Sequence, residues 1–398
     1  MPDYHLSRTA RQLKRSVMRD LMSVAVDPRI ISLAGGLPAN DCVPVESFQQ
    51  CVDRVLSREG YRALQYGPPY MPLREWIADY MRKKSVKCDP EEVFITNGAQ
   101  QGLAILSRLF CDPEDPVVIE STTFTGIQQV TVGRRLSVRT VSTHLETGVD
   151  VQALEEAFSA AASPKMAILI PDFHNPLGVS ISMEKREQIA ALAARRQIPV
   201  IEDDPYSALR FSGESLPPMK ALDHEGWIFY LGSFSKMLTP AVRLGWIIGP
   251  RALADRITVI REAMDLESSQ LMQRVVMEFI DSGFFHTHLH QLNRTNARRF
   301  HLLQEALQQW LAPEGVQWTQ PEGGIFIWLT FPQRVNTWKL FQHAIKRRVA
   351  FIPGGAFSVE GGNENTARLN FSNVTEDRIP EAVRHIAEAL HDLSNPPS

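Results

Sequence analysis

Between Arg8 and Ala25 the apolar residues Leu13, Val17, Leu21 and Val24 recur at helical spacing among basic residues. That spacing predicts a basic amphipathic helix. Residues 31–46 are rich in glycine and proline and predict an extended loop. From Ser47 to about Pro250, short apolar runs alternate with amphipathic stretches. Val93-Phe94-Ile95, Met166-Ala167-Ile168-Leu169-Ile170 and Ile198-Pro199-Val200-Ile201 read as buried strands. Helices are predicted over about Arg251–Met264 and Ser269–Asp281, and a long one over Phe284–Trp310 that bridges two units. Short strands follow near Val316–Trp318 and Gly324–Leu329, then a helix over Thr337–Arg347 and a strand near Ala350–Ile352. A strand at Arg368 and a terminal helix over Glu376–Leu393 complete the pattern. The reading is α/β: a large domain over 47–285 with a mostly parallel central sheet, and a smaller α/β domain from 1–46 and 286–398. No internal repeat or low-complexity linker interrupts it.

Composition narrows the function classes. At 398 residues, two domains are expected, and an apolar fraction of 44% supplies their cores. With 42 basic and 45 acidic residues, the net charge is −3 and no basic patch stands out. Nucleic acid and acidic membrane surfaces are therefore not implied partners. Cys42, Cys51, Cys88 and Cys111 show neither metal spacing nor a pairing pattern and read as reduced cytosolic thiols. The polar start and the lack of a bilayer-length apolar run predict a cytoplasmic protein. His286 and His290 lie one helical turn apart, but no acidic or cysteine partner adjoins them, and no metal site is expected.

The chemistry concentrates around Lys236, in Gly232-Ser233-Phe234-Ser235-Lys236, with Arg243 seven residues later. A deprotonated lysine amine condenses with a carbonyl. Two hydroxyls before it and a guanidinium after it suit an anchored phosphate. A cofactor bearing an aldehyde and a phosphate fits, and pyridoxal 5'-phosphate is the obvious one. Upstream, a strand ends in Glu202-Asp203-Asp204-Pro205-Tyr206. Acidic residues at the carboxyl end of a parallel strand sit where α/β proteins bind ligands, and one of the two aspartates there could hold a pyridine nitrogen protonated. Tyr206 could donate to the ring's phenolic oxygen. Asn175, before Pro176, is held out of the helical region. After the strand at Val93, the turn Thr96-Asn97-Gly98-Ala99-Gln100 opens a helix whose N-terminus favours an anion.

These stretches, in this order, resemble the fold type I pyridoxal-phosphate-dependent aminotransferases, most nearly the kynurenine and α-aminoadipate aminotransferase subgroup. The resemblance runs from Ile31-Ser32-Leu33-Ala34-Gly35-Gly36 to Ala367-Arg368-Leu369-Asn370-Phe371-Ser372. It implies that Lys236 forms the internal aldimine and shuttles the proton, and that Asp203, by its Asp-x-x-Tyr spacing, pairs with the ring nitrogen. Asn175 and Tyr206 would bond the phenolic oxygen. Ala99, Gln100, Ser233, Ser235 and Arg243 would surround the phosphate. Arg368, assisted by Asn175, would clamp the substrate carboxylate, and Gly36 would line the substrate. Tyr66 looks like the tyrosine that reaches the partner subunit's phosphate, which implies a homodimer. Arg19 is a candidate for a distal substrate carboxylate.

Three features depart from the family pattern. Phe124 stands where relatives often place a ring-stacking tyrosine, and it can stack but cannot donate a hydrogen bond. Residues 66–74 are shorter than usual and lack a second glycine. His174 replaces a small or polar residue and is open to two readings, tuning of substrate choice or packing. The implied activity is ping-pong transfer of an amino group from an aromatic, branched or α-aminoadipate-like L-amino acid to a 2-oxo acid such as 2-oxoglutarate. A lyase, decarboxylase or racemase on the same scaffold would hold the cofactor with the same residues. A regulatory effector-binding protein would carry an added basic DNA-binding domain.

Overall fold

The computed structural model describes residues 4–13, 21 and 27–394. Its centre is a seven-stranded sheet of β1 (Val93–Thr96), β2 (Pro116–Glu120), β3 (Ser137–Val141), β4 (Met166–Leu169), β5 (Val200–Asp204), β6 (Ile228–Ser233) and β7 (Gly245–Ile248). The spatial order is β1-β7-β6-β5-β4-β2-β3. Only β7 runs antiparallel to its neighbours. Strands β4 to β7 are buried along their whole length. Continuous apolar runs are what a sheet covered on both faces demands. Alternation then sorts their residues: Ile168, Ile201 and Leu231 enter one core, Ala167, Leu169, Val200 and Ile228 another.

Two helices, α1 (Val45–Glu59) and α2 (Met71–Arg82), precede the first strand of this sheet, so strand–helix alternation begins at Val93 rather than at Ser47. Their apolar positions, Cys51 and Val55, then Leu73, Ile77 and Met81, face one shared core at helical spacing. Two further helices frame the site, α3 (Ala99–Phe110) and α4 (Thr125–Arg134).

A second, four-stranded antiparallel sheet comprises β8 (Gln317–Trp318), β9 (Phe326–Thr330), β10 (Ile352–Pro353) and β11 (Thr366–Asn370), ordered β8-β9-β11-β10. The single strand anticipated near Ala350–Ile352 is two short ones: Val349–Ala350 pairs in parallel with Ile31–Ser32, and β10 joins the sheet. Helix α5 (Phe284–Trp310) connects the two cores. Phe285 enters the core beside α2, whereas Phe300, Leu303 and Leu307 enter the core of the second sheet. Its 27 residues span about 40 Å.

The N-terminal expectation needs correction. Helix covers Arg8–Gln12, capped by Ser7, whose hydroxyl accepts from the Ala10 amide at 3.1 Å. Leu13 ends it in an extended conformation and is 45% exposed, so it does not begin an apolar stripe. Leu21 packs against the core of the second sheet. Val17, Arg19 and Val24 lie outside the described residues.

Candidate active site

The carboxyl ends of β5 and β6, the loop after β4 and the starts of α3 and α4 converge on a cavity of about 310 Å³. Gly36 and Arg368, from the second-sheet side, close it. A ligand is expected where strand ends and helix starts meet. The cavity gathers Gly36, Ala99, Gln100, Phe124, Asn175, Asp203, Tyr206, Ser233, Ser235, Lys236, Arg243 and Arg368.

Lys236 follows β6 and donates from Nζ to the Gly36 carbonyl at 2.6 Å. Burial, then the positive charges of Arg368 and Arg243, push its amine down from 10.5 to about 8. An uncharged amine is thus accessible near neutral pH. Asp203, near the end of β5, is buried, and its Oδ1 has no hydrogen-bond partner among the described residues. Burial, and then the neighbouring Asp204 charge, raise its carboxyl to about 7. An orphaned carboxylate oxygen in a cavity calls for a ligand that brings a proton.

Asn175 links two cavity residues. Its amide nitrogen donates to the Tyr206 hydroxyl at 3.2 Å, and its oxygen accepts from Arg368 Nη1 at 2.8 Å. The Asn175–Pro176 peptide is cis. Arg368 also donates to the Ala34 carbonyl at 2.6 Å, and its guanidinium lies over the Phe326 and Phe357 rings. It is 1% exposed, its Nε has no partner among the described residues, and burial pulls its guanidinium down to about 9. Among the described residues no acidic side chain pairs with Arg368. A buried, unpaired guanidinium is costly unless an external anion completes it.

At the other end, Gly98 precedes α3, and no side chain caps that helix, which leaves first-turn amides for an anion. Gly98 has φ 78°, and a Cβ there would lie 2.9 Å from an Arg243 guanidinium nitrogen. Gly245 allows the matching approach of β7: a Cβ there would fall 2.9 Å from the Ala99 amide nitrogen. Arg243 donates to the Asn97 carbonyl at 3.1 Å, and Ser233 Oγ accepts from the Ser235 amide at 3.1 Å. A Gly98→Ala change forces left-handed backbone on an L-residue and displaces Arg243. It is expected to weaken phosphate-bearing ligands about tenfold in equilibrium titration; unchanged affinity would contradict the cradle.

Phe124 precedes α4 and lines the cavity; the Gln100 side chain ties this corner to the Gly126 carbonyl at 2.9 Å. Leu103, Thr125, Ile170 and Pro205 also line the cavity. None of the four is marked by a motif, although Ile170 ends a predicted strand. Tyr66 is not in the cavity. It is 78% exposed on a loop that Gln270 grips through the Gly67 and Pro68 carbonyls, each at 3.2 Å. His174 also stays out of the cavity: its Nε2 meets Glu120 Oε2 at 3.0 Å, both residues being buried, so it packs. Among the described residues, no cluster of three or more His, Cys, Asp or Glu could hold a metal.

The cavity therefore joins a nucleophilic amine, an acid without a partner, an anion cradle and an unpaired guanidinium. The family described as aminotransferase class I and II matches residues 29–386. Aromatic-amino-acid aminotransferase 1 of Thermococcus litoralis is 33% identical over 98% of this chain and 94% of its own. Pyrococcus horikoshii kynurenine aminotransferase, solved with PMP, superposes with a TM-score of 0.92 at 34% identity, covering 98% of this chain and 97% of its own. The α-aminoadipate aminotransferase of Thermus thermophilus, complexed with N-(5'-phosphopyridoxyl)-L-leucine, gives 0.90 at 33% identity, with 98% of each chain covered. The chain belongs to the class I and II aminotransferases. With them it is a pyridoxal-phosphate-dependent transaminase that moves an amino group between an amino acid and a 2-oxo acid.

Proposed function

We propose that this transaminase takes an aromatic, branched or α-aminoadipate-like L-amino acid as donor and 2-oxoglutarate as acceptor, in a ping-pong cycle. The donor range rests on the named activities of the relatives and on the leucine adduct of the Thermus enzyme. One observation carries the site assignment: the unpaired Arg368 guanidinium and the Lys236 amine line the same cavity.

In this reading Ala99, Gln100, Ser233, Ser235 and Arg243 would hold the cofactor phosphate. Phe124 would pack on the ring, Asp203 would accept from the protonated ring nitrogen, and Asn175 and Tyr206 would bond its phenolic oxygen. Bound there, pyridoxal phosphate supplies a carbonyl that accepts the amino group and a ring that takes up charge from the substrate's α carbon. Arg368 binds the substrate carboxylate, with Asn175 fixing the guanidinium, and so orients the Cα–H bond. Lys236 Nζ removes the α proton as general base. Because one site serves both half-reactions, Arg368 receives the amino acid and the 2-oxo acid in turn.

Tyr66, exposed in the single chain, would serve the neighbouring site of a homodimer. Arg19 remains the proposed contact for a distal carboxylate. A division of the chain near 285/286 is supported by the passage of α5 from one core to the other, whereas a boundary at 46/47 falls inside α1. Among the described residues no helix is long and apolar enough to cross a membrane.

The test is a visible spectrum of the cofactor-loaded enzyme titrated with single amino acids and no 2-oxo acid. The proposal expects bleaching with aromatic, branched or α-aminoadipate donors and recovery on adding 2-oxoglutarate. Bleaching that only other donors cause, or recovery only with another 2-oxo acid, would overturn the substrate assignment.

A further inference from the structure

Asp203 has a second aspartate beside it whose position in the fold is quite different. The two are adjacent on β5, so their side chains leave the sheet on opposite faces. Asp203 lines the cavity; Asp204 does not. Asp204 is 4% exposed, and its carboxylate accepts from the Tyr230 hydroxyl at 2.7 Å, the Ser207 amide at 2.8 Å and the Tyr206 amide at 3.3 Å. The Ser207 hydroxyl donates to it as well. Lys84, in the turn after α2, brings Nζ within 3.8 Å and donates to Ser207 Oγ at 2.6 Å. The Lys84 side chain is 22% exposed and lies over the Tyr80 ring.

Burial opposes a charge on Asp204, but Lys84 and the hydroxyl and amide donors outweigh it and hold the carboxyl below its ordinary range. Two other acids lie near Asp204: Asp172 is matched by Arg186 at 2.8 Å and Arg210 at 3.8 Å, and Glu202 accepts from the Met219 and Lys220 amides at 2.7 and 2.9 Å. Asp204 therefore sets a fixed negative charge directly behind Asp203, within one strand. A negative neighbour strengthens a carboxylate's hold on a proton. The Tyr206 amide bond adds a second effect, since it pins the turn that carries Tyr206 into the cavity.

We propose that Asp204, anchored by Lys84, is a positioning residue for the ring nitrogen of the cofactor: its charge behind β5 makes Asp203 a stronger partner for a protonated ring. The inference rests on the assignment of Asp203 to that nitrogen. Neither Asp204 nor Lys84 reaches the reacting atoms, so both act through Asp203 and Tyr206.

The experiment is reconstitution of the full chain with pyridoxal phosphate and with its analogue that carries carbon in place of the ring nitrogen. The readout is the ratio of the two dissociation constants. Loss of a merely structural residue weakens both ligands together and leaves the ratio unmoved. The proposal expects a clear preference for the nitrogen ring in the native chain, abolished by Asp203→Asn and reduced about tenfold by Asp204→Asn, the equivalent of one unit of carboxyl basicity. If Asp204→Asn fails to fold, the double variant Lys84→Met/Asp204→Asn removes both charges together, a change buried pairs often tolerate, and it should show the same direction. A native preference that Asp203→Asn abolishes but the Asp204 variants leave intact overturns the inference and spares the Asp203 assignment. A native chain with no preference overturns the Asp203 assignment itself.

Discussion

Lys236→Ala is expected to lower transamination by about 10⁴-fold, the upper range for loss of a positioned general base. The reason is local. Among the described residues no other lysine lines the cavity, and the Lys236 Nζ bond to the Gly36 carbonyl keeps the amine inside it. The same variant should alter the stability of the cofactor-free chain in a pH-dependent way. The Lys236 amine is held at about 8 against an ordinary 10.5, so between these values the unfolded chain binds more protons than the folded one. The cost of burying this lysine is full below about pH 8 and fades as the pH rises toward 10.5. Relative to the native chain, Lys236→Ala should be most stable below pH 8, and its advantage should shrink above that. Thermal melts of cofactor-free protein across this window check the sign; an advantage that grows with pH would contradict the buried amine.

Arg368→Gln is expected to raise the KM of both the amino acid and the 2-oxo acid by about 10²- to 10³-fold, as loss of a buried charge partner does. Both rise because a single guanidinium serves both half-reactions. A primary amine without a carboxylate provides the control, since its slow half-reaction should change little. If KM rises for only one of the two partners, a second carboxylate site exists and the account of Arg368 is wrong. Arg368→Lys should not rescue the site, because a point charge cannot reproduce the planar fork that bonds both Asn175 and the Ala34 carbonyl.

Much of the site was legible because its residues occupy the ends of strongly patterned elements. β5 and β6 each begin as a buried apolar run, and chemistry-bearing side chains at their carboxyl ends have few places to go. Helix α5 was readable over its full length from its apolar spacing, with Gly283 before it and Pro313 soon after. Other features depended on contacts that sequence distance conceals. The Asp-x-x-Tyr spacing singles out Asp203, but the contacts of Asp204 with Tyr230 and Lys84 emerge only from the register of β5. His174 meets Glu120 across 54 residues, so no local signal separated packing from substrate contact. Helices α1 and α2 were absorbed into an expected alternation because short amphipathic stretches carry no sign of where a sheet begins. Leu13 fits helical spacing, yet the helix ends before it, since periodicity marks an element far better than it marks the element's last residue.

The central claim is that the Lys236 amine is the protein's attachment point for pyridoxal phosphate. Borohydride reduction of the cofactor-loaded enzyme, followed by proteolysis and peptide mass spectrometry, tests it most directly. The account predicts one pyridoxyl group per chain, on Lys236 Nζ, in the peptide that carries Ser233 and Ser235. A pyridoxyl group on another lysine, or none on the peptide containing Lys236, would contradict it.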